Sequence, residues 1–387
     1  MSQQSNTENQ LADTFVRTGT FGDAPWTLDE KGTLTIGYGS YHGRFRSLED
    51  RSFDFKCDDG KRLPCQAVLR VVSTEKLTVS GNLEGLFYRE RKDKPFKNVI
   101  SMDLSGWITE DVSSMAYMFK GCSKLTSLNL GSFNTSNVTD MEYMFEGCMK
   151  LTNLDLGSFN TSQVKNMASM FYNCKMLTSL NLCSFDTSHV TEMWHMFANC
   201  QKLEKLDLRG FDTSRVKNMC CMFANCTHLT ALDLRSFDAS QVTDTGCMFA
   251  GCQNLRTLNL GNFNTARVEN MVAMFYDCRR IEHLDLGSFD TSKVANMTGM
   301  FKKCRSLSSL DLCSFDTSQT REMSEIFDEC PSLERITFGV QSRNVLLYLS
   351  GDWYLDGNGP YSLDEIFEKT IEEDMGGVLE RSIENNA

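Results

Sequence analysis

The sequence feature that most constrains the fold is a 26-residue repeat that runs through the middle of the chain without insertion or deletion. One copy reads LTSLNLGSFNTSNVTDMEYMFEGC, from Leu125 to Cys148. Because a unit of this size cannot bury its apolar face alone, strict self-similarity at such a period predicts a stacked array. The cysteine that ends each copy recurs at Cys122, Cys148, Cys174, Cys200, Cys226, Cys252, Cys278, Cys304 and Cys330.

Two periodicities within each copy predict its local structure. Leucines that alternate with a polar residue, as at Leu128 and Leu130, indicate a short strand whose intervening residue faces outward. A second run has the spacing of one apolar helix face, at Val138, Met141, Met144, Phe145 and Cys148. The predicted fold class is therefore α/β: a leucine-rich-repeat-like right-handed solenoid with a parallel strand wall opposite short helices, a β-rich N-terminal cap and a small C-terminal cap.

The segments outside the array differ from it in pattern. A hairpin is predicted around Trp26 to Ile36, where apolar and polar residues alternate on both sides of a turn. After Cys330 we expect a tenth strand that no helix follows, and a further strand from Asn344 to Ser350. The predicted segments are a loose leader (1–20), the β-rich N-terminal cap (21–98), nine 26-residue repeats (99–332), the C-terminal cap (333–361) and an acidic helical tail (362–387).

Charge and hydropathy exclude several classes of partner. The 387-residue chain has a formal net charge of −12 and no basic stripe, so nucleic acid is not expected as a partner. No apolar run is long enough to span a membrane, and membrane insertion is not expected. Residues 1–25 also lack the basic start and apolar centre of a signal peptide, which makes a cytoplasmic location one alternative.

The 16 cysteines fall into a repeated column and a remainder. The nine column cysteines occupy one equivalent position, and we expect buried free thiols that act as small apolar side chains. Cys57 and Cys65 flank a hairpin-like loop and form a possible disulfide if the protein is exported. Cys221 and Cys247 share a position in consecutive repeats and are a second possible bridge.

The repeat pattern L-x-x-L-x-L-x-x-F-[ND]-T-S-x-V-x-x-M-x-x-M-F-x-x-C resembles the 26-residue bacterial surface-protein repeat of the BspA-like leucine-rich repeat family. The resemblance covers Val99 to about Gly339. It implies a cell-surface or secreted protein that adheres to matrix proteins, to other cells or to other bacteria. It carries over no catalytic residue and implies no cofactor.

Two consecutive repeats depart from the consensus on the strand wall, and a specific binding site is expected where the repeat varies. Lys205, Arg209 and Arg235 bring positive charge to this wall, whereas most equivalent positions of the two arginines hold glycine or cysteine. Asp207 and Asp233 stand beside them. The sequence leaves two interpretations open, a patch that binds a ligand or partner and a lattice of surface ion pairs.

The predicted helix wall has its own departures at Trp194 and His195. Trp194 is a candidate contact anchor, because exposed tryptophans often carry binding energy. Cys221 occupies the position of His195 one repeat later, which suggests a cysteine nucleophile, but no third orienting group is evident. A cysteine-dependent enzyme is therefore the least favoured class, and the prediction is a protein without enzymatic activity.

One polar residue of each predicted strand faces outward and forms a column along the array. Carboxylates and amides at one position suggest a calcium or glycan site, but a straight column does not converge on one ion, so no metal site is predicted. The members are Asp103, Asn129, Asp155, Asn181, Asp207, Asp233, Asn259, Asp285 and Asp311.

These observations favour adhesion or recognition of a protein or glycan partner through the strand wall. An intracellular scaffold that binds another protein through the same wall is the alternative. The sequence identifies neither the partner nor the oligomeric state.

Overall fold

The computed structural model of the chain describes residues 15–43, 55–60, 63, 67–88, 96–261 and 263–381. The chain forms a leucine-rich-repeat-like solenoid, because equivalent residues of consecutive repeats pair in parallel with an offset of 26 residues. Two sides of each coil carry this pairing. We call the side that holds the short strands the strand wall and the side that holds the Met-Phe segment the turn wall.

The N-terminal region already contributes to both walls. The predicted hairpin is confirmed, with Trp26 opposite Ile36. The parallel pairing of the strand wall starts at β3 and continues through β6 and β8, while β4, β7 and β9 form a parallel sheet that leads into the turn wall. The strands are β1 Phe15–Phe21, β2 Ala24–Asp29, β3 Thr33–Ile36, β4 Gly39–Gly43, β5 Phe55–Cys57, β6 Arg70–Val72, β7 Leu77–Asn82, β8 Ser101–Asp103 and β9 Trp107–Ser114.

The predicted loose leader is wrong for residues 15–20, which belong to β1. This strand pairs with β2 and with β5 in antiparallel fashion, so its backbone is held on both sides. The alternation of apolar and polar residues that indicated β2 and β3 is absent from this strand, and its sequence alone gave no strand signal. Residues 1–14 of the predicted leader lie outside the described part of the chain.

The strand wall of the array is built from short strands that pair in parallel with strands of adjacent coils. β8 pairs with β10, β11 with β12, and β13 with β14, each in parallel register. Each strand is only two to four residues long. The ranges are β10 Ser127–Asn129, β11 Ser179–Leu180, β12 Lys205–Leu206, β13 Ala231–Asp233, β14 Thr257–Asn259, β15 Ser309–Leu312 and β16 Arg335–Phe338.

The turn wall carries the longer ladder of coil-to-coil pairing, and it corrects the predicted short helices. The amide of Tyr143 donates to the carbonyl of Ala168 in the next coil at 2.9 Å, whereas the amide of Met144 donates back to Met141 at 3.2 Å. Amides therefore alternate between the next coil and their own turn, and no α-helix forms. Parallel bridges link Ser114, Asp140, Asn166, Glu192, Asn218, Asp244, Asn270, Asn296 and Glu322 in succession.

The backbone at the centre of each turn is left-handed. Tyr143 has φ of 55° and Asn173 has φ of 64°. A left-handed residue reverses the local direction of the carbonyls, which lets alternate amides point to the neighbouring coil. A positive φ is unfavourable for most side chains, and the coil-to-coil hydrogen bonds offset that cost.

The core lies between the two walls and consists of stacked columns of identical residues. The phenylalanines that include Phe145 and Phe171 stack at centroid distances of 5.6 to 6.0 Å and interplanar angles of 2° to 8°. The methionines Met141 and Met144 are fully buried beside them, as are most of their equivalents. Since each coil covers the apolar side chains of its neighbour, burial is shared along the array.

The far end of the array is closed by a small mixed unit. A 3₁₀ helix at Val340–Tyr348 follows β16, so the predictions that no helix follows the tenth strand and that a strand spans Asn344 to Ser350 are wrong. The helix predicted in the tail is present, and Ser362 and Glu365 form a capping box at its start. The elements are β17 Trp353–Leu355, β18 Asn358–Tyr361, α1 Leu363–Glu372 and β19 Gly377–Arg381, where β19 pairs with β16 and β17.

Candidate functional site

The strand wall carries an exposed arginine-aspartate pair just after β12. The guanidinium of Arg209 donates to both carboxylate oxygens of Asp207, from Nε at 3.0 Å and from a terminal nitrogen at 2.7 Å. The Asp207 carboxylate also accepts the backbone amide of Arg209 at 3.1 Å. These donors lower the pKa of Asp207 to about 2, so the pair is charged on both sides at neutral pH.

The next coil repeats this pair after β13. Arg235 donates to the two carboxylate oxygens of Asp233 at 3.0 and 2.8 Å, and the pKa of Asp233 is lowered for the same reason. The side chains of Arg209 and Arg235 remain 73% and 64% exposed. Each arginine is thus hydrogen-bonded to the aspartate of its own coil. Both arginines therefore form surface ion pairs, and these hydrogen-bonded pairs lie within single coils.

An open depression of about 550 Å³ lies beside the Arg209–Asp207 pair and extends over the following coils. Lys205 and Arg209 line it from one coil and Asp233 from the next. A guanidinium has five N–H donors, and the carboxylate occupies two of them in each pair. The remaining donors face solvent at fixed positions. The arrangement can therefore present oriented hydrogen-bond donors to a carboxylate, a carbonyl or a hydroxyl group.

The structure places Trp194 and His195 on the turn wall, away from the arginines. Trp194 is half-buried and meets the edge of Tyr143 two coils earlier at 5.5 Å. The ring of His195 contacts Tyr172 at 5.6 Å, and burial lowers the pKa of this histidine. The seven predicted binding residues are thus divided between the strand wall and the turn wall. Trp194 packs against neighbouring side chains, so only part of its surface is available to a partner.

Cys221 and His195 do line one cavity, of about 320 Å³, on the turn wall. Among the described residues, however, Nδ1 of His195 is buried and has no hydrogen-bond partner. A catalytic imidazole is normally oriented by a hydrogen bond on this nitrogen. The geometry therefore gives the nucleophile hypothesis no orienting group.

The outward column of aspartates and asparagines has a structural role in every repeat. The side-chain Oδ1 of Asn129 accepts the amide of Gly131 at 3.1 Å, and that of Asp155 accepts the amide of Gly157 at 3.0 Å. All nine members make the equivalent bond, which ends the strand with a tight turn. In the described part of the chain, no group of three or more His, Cys, Asp or Glu side chains is arranged to hold a metal ion.

All nine column cysteines are buried free thiols in the structure. Cys57 is also buried, but its possible disulfide partner Cys65 lies outside the described residues. No helix in the described ranges combines the length and the apolar character needed to cross a bilayer.

An aromatic and cationic cluster on the turn wall was missed by the sequence analysis. The ring of Tyr117 stacks on Tyr143 at 4.8 Å, and Nζ of Lys120 lies 4.2 Å from the Tyr143 centroid. The same ammonium pairs with Glu146 at 2.6 Å. Beside the cluster, burial and the charge of Asp140 raise the pKa of Glu142 to about 7. The sequence signal was the recurrence of tyrosine at the same repeat position.

The comparisons with known proteins identify a sequence family. The family model described as "Mycoplasma protein of unknown function, DUF285" matches residues 82–182, 155–257, 178–283 and 222–339. Together these matches span two thirds of the chain. No curated protein sequence matches it.

Solved structures resemble the chain in repeat architecture alone. A leucine-rich cell surface protein from Faecalibacterium prausnitzii A2-165 has 14% identity, with 83% of this chain and 94% of that chain covered and a TM-score of 0.29. A leucine-rich repeat protein from Eubacterium ventriosum has 12% identity, 81% and 94% coverage and a TM-score of 0.25. A leucine-rich repeat protein from Leptospira interrogans has 15% identity, 86% and 97% coverage and a TM-score of 0.24. At these TM-scores the similarities assign no activity or partner.

Proposed function

The chain belongs to the DUF285 family of repeat proteins, and we propose that it is a recognition protein without enzymatic activity that binds a protein or glycan partner through its strand wall. The family description names no function, so the proposal is based on the surface of the solenoid. Repeat solenoids use extended walls rather than deep pockets to bind partners.

The observation that carries the proposal is the pair of exposed Arg-Asp bridges on adjacent coils. Most equivalent coils place Gly131, Gly157 or another small residue where these arginines stand. The aspartate holds each guanidinium in one orientation, so little side-chain entropy remains to be lost when a partner binds. Preorganised donors around an open depression suit a partner that presents carboxylate, carbonyl or hydroxyl oxygens.

The turn wall is less suited to this role. Its backbone amides are used in the coil-to-coil ladder, and its aromatic side chains pack against one another. On the strand wall, Ser127 and Asn129 remain exposed on either side of the half-buried Leu128. The strand wall therefore offers more polar groups to a partner.

The repeat pattern's resemblance to the BspA-like family supports adhesion at a bacterial surface as the setting for this recognition. An intracellular scaffold that binds another protein through the same wall is the second candidate. Protease treatment of intact producing cells distinguishes the two. Digestion of the protein on intact cells supports surface exposure, and digestion only after lysis supports the scaffold.

The binding site is tested with the double substitution Arg209→Gly and Arg235→Gly. Glycine is the commonest residue at the equivalent positions, so the thermal midpoint is expected to change by no more than about 2 °C, since surface changes cost little. The wild-type chain is first applied to an array of immobilised matrix proteins and glycans, and the probe that it binds is then used for the variant. On that probe, the affinity of the double variant is expected to be at least about tenfold lower. The reason is that truncation of an arginine anchor typically costs about 1–2 kcal/mol or more of binding free energy.

A matched control is Arg279→Gly on the turn wall. Arg279 makes the same type of pair with an aspartate two residues earlier, through Nε at 2.7 Å from Asp277. Its loss is expected to leave binding unchanged. Full binding by the double variant, or an equal loss in the control, contradicts the proposed site.

A further inference from the structure

Three cysteines outside the buried column lie together on the turn wall. Cys220, Cys221 and Cys247 belong to two adjacent coils, and each is half-buried. Cys221 and Cys247 occupy the left-handed position of their turns, with φ of 56° and 55°. Other coils hold residues as different as Tyr143 and Ala273 at this position, so a cysteine is not needed there for folding.

The three thiols lie close together. The sulfur atoms of Cys220 and Cys221 are 3.5 Å apart, and Cys221 and Cys247 line the same cavity. The amide of Cys221 donates to the carbonyl of Gly246 at 2.8 Å, which places Cys221 beside Cys247 of the following coil. Cys221 thus has a thiol of its own coil and a thiol of the next coil as neighbours.

Backbone spacing decides which two thiols suit a disulfide. Paired residues of neighbouring coils lie about 4.8 Å apart, inside the range of about 4.4 to 6.8 Å between the Cα atoms of disulfides. Neighbours along the chain, such as Cys220 and Cys221, are fixed at about 3.8 Å and fall below that range. The favourable pair is therefore Cys221 with Cys247.

We propose that Cys221 and Cys247 form an oxidisable dithiol site at which a hydroperoxide produces a reversible disulfide between two adjacent coils. The cavity of about 320 Å³ that both residues line admits a reagent of this size. The disulfide joins coils that are otherwise linked only by hydrogen bonds and packing. This site is independent of the proposed partner-binding patch on the strand wall.

The chemistry begins at Cys247. The neighbouring Cys221 thiol lowers the pKa of Cys247 to about 7, which favours the thiolate form that attacks peroxides. The thiolate attacks one oxygen of hydrogen peroxide, an S–O bond forms, and the O–O bond breaks with release of hydroxide, which takes up a proton to become water. Cys247 is then a sulfenic acid.

Cys221 completes the reaction. Its sulfur attacks the sulfur of the sulfenic acid, an S–S bond forms, and the S–O bond breaks. The proton of the Cys221 thiol passes to the departing hydroxide, which leaves as water. In total, two thiols are oxidised to one disulfide and one peroxide is reduced to two waters. Two molecules of an external thiol reduce the disulfide to the two cysteine thiols by exchange and are themselves oxidised to a disulfide.

The buried cysteine column shows why this reactivity is local. The thiol of Cys226 donates to the carbonyl of Phe197 at 3.2 Å, and burial raises its pKa well above the ordinary value. Its equivalents make the same bond along the array. These thiols are protonated at neutral pH and closed to reagents, whereas the dithiol site is half-exposed and ionisable.

The test uses the full chain, fully reduced and then treated with one equivalent of hydrogen peroxide at pH 7. Intact mass is expected to fall by about 2 Da, the loss of two thiol hydrogens. Tryptic digestion without reduction is expected to link fragment 218–235, which holds Cys220, Cys221 and Cys226, to fragment 236–256, which holds Cys247 and Cys252. Fragment-ion sequencing of the linked peptides is expected to place the bridge between Cys221 and Cys247. A bridge between Cys220 and Cys221, or no link between the fragments, overturns the proposal.

Substitutions separate the roles of the three thiols. Cys220→Ser is expected to retain the link, Cys221→Ser to leave a sulfenic acid on Cys247 that dimedone traps, and Cys247→Ser to abolish the link. Circular dichroism before oxidation checks that each variant is folded.

A measurement on the unsubstituted chain covers the case of a variant that fails to fold. At pH 7, iodoacetamide is expected to alkylate Cys247 about fivefold faster than Cys313. The larger thiolate fraction of Cys247 raises its rate, and the lower nucleophilicity of a more acidic thiol offsets part of that gain. Cys313 is the exposed control on the strand wall, and burial raises its pKa. Equal or slower labelling of Cys247 contradicts the site.

Discussion

The thiol of Cys174 donates a hydrogen bond to the carbonyl oxygen of Phe145, one coil earlier, at 3.2 Å. Equivalent bonds of 3.0 to 3.4 Å recur from Cys148 to Cys330. The repeated cysteine is therefore both an apolar filler and a donor that ties each coil to its predecessor. This second role follows from the stacking and is invisible in a single repeat.

Replacement of Cys174 by alanine is expected to lower the free energy of unfolding by about 1–2 kcal/mol, through a small cavity and a lost hydrogen bond. The control is Cys183→Ala, since Cys183 is exposed on the strand wall and its loss is expected to cost less than about 0.5 kcal/mol. Urea denaturation followed by circular dichroism measures both. Equal costs for the two variants contradict a structural role for the column thiol.

A buried threonine column makes a second set of coil-to-coil bonds, and one coil lacks it. The hydroxyl of Thr187 donates to the carbonyl of Asp212 and accepts its amide, both at 2.8 Å. Ala239 occupies the equivalent position two coils later and is fully buried. Ala239→Thr is expected to raise the free energy of unfolding by about 0.5–1.5 kcal/mol, because Asn264 gains the missing partner.

The matched control for this substitution is Ala239→Val, which adds a similar volume without a hydroxyl. Chemical denaturation of both variants separates packing from hydrogen bonding. If valine stabilises the chain as much as threonine, the gain comes from packing and the hydrogen-bond explanation is wrong.

Glu142 predicts a pH dependence of stability. Its pKa is raised to about 7 by burial and by the charge of Asp140, partly offset by Asn166 and Lys120. Between the ordinary glutamate pKa of 4.5 and about 7, the folded chain binds more protons at this site than the unfolded chain, so its contribution to stability falls as pH rises. Glu142→Gln is expected to have little effect at pH 4 and to stabilise the chain at pH 8.

Because Glu142 is partly exposed, solvent screening limits the expected gain at pH 8 to on the order of 1 kcal/mol. Urea denaturation of the wild type and the variant at pH 4, 6 and 8 measures it. The exposed Glu204→Gln serves as the control for the loss of a surface carboxylate. A gain for Glu142→Gln that is equal at all three pH values would show that ionisation is not its source.

The array was predictable from sequence because its period is strict. The outward position of Asn129 and the burial of Leu130 follow from strand alternation, and the structure agrees. The helix prediction failed for a specific reason. Apolar residues spaced three and four apart also suit successive turns. The amide of Tyr143 donates to a carbonyl of the next coil, so it does not form the hydrogen bond that a helix would need.

Parts of the candidate sites were local enough to predict. Arg209 stood out as a departure from glycine, and its pairing with Asp207 spans only two residues. The contact between Trp194 and Tyr143 joins residues two coils apart and could not be read from either repeat. The sequence showed that Cys221 and Cys247 share one repeat position. It did not show that the pKa of Cys221 is raised and that of Cys247 lowered, because these shifts depend on the neighbouring coil.

The sequence by itself determined that the chain is a stacked array, which residues enter its core, and where the repeat varies. It did so because burial depends on hydrophobic spacing, and this spacing recurs every 26 residues. The tertiary structure alone decided that the turn wall carries the longer ladder and that Cys174 is a donor to Phe145. Backbone amides look alike in every sequence, and only the neighbouring coil determines which carbonyl each one reaches.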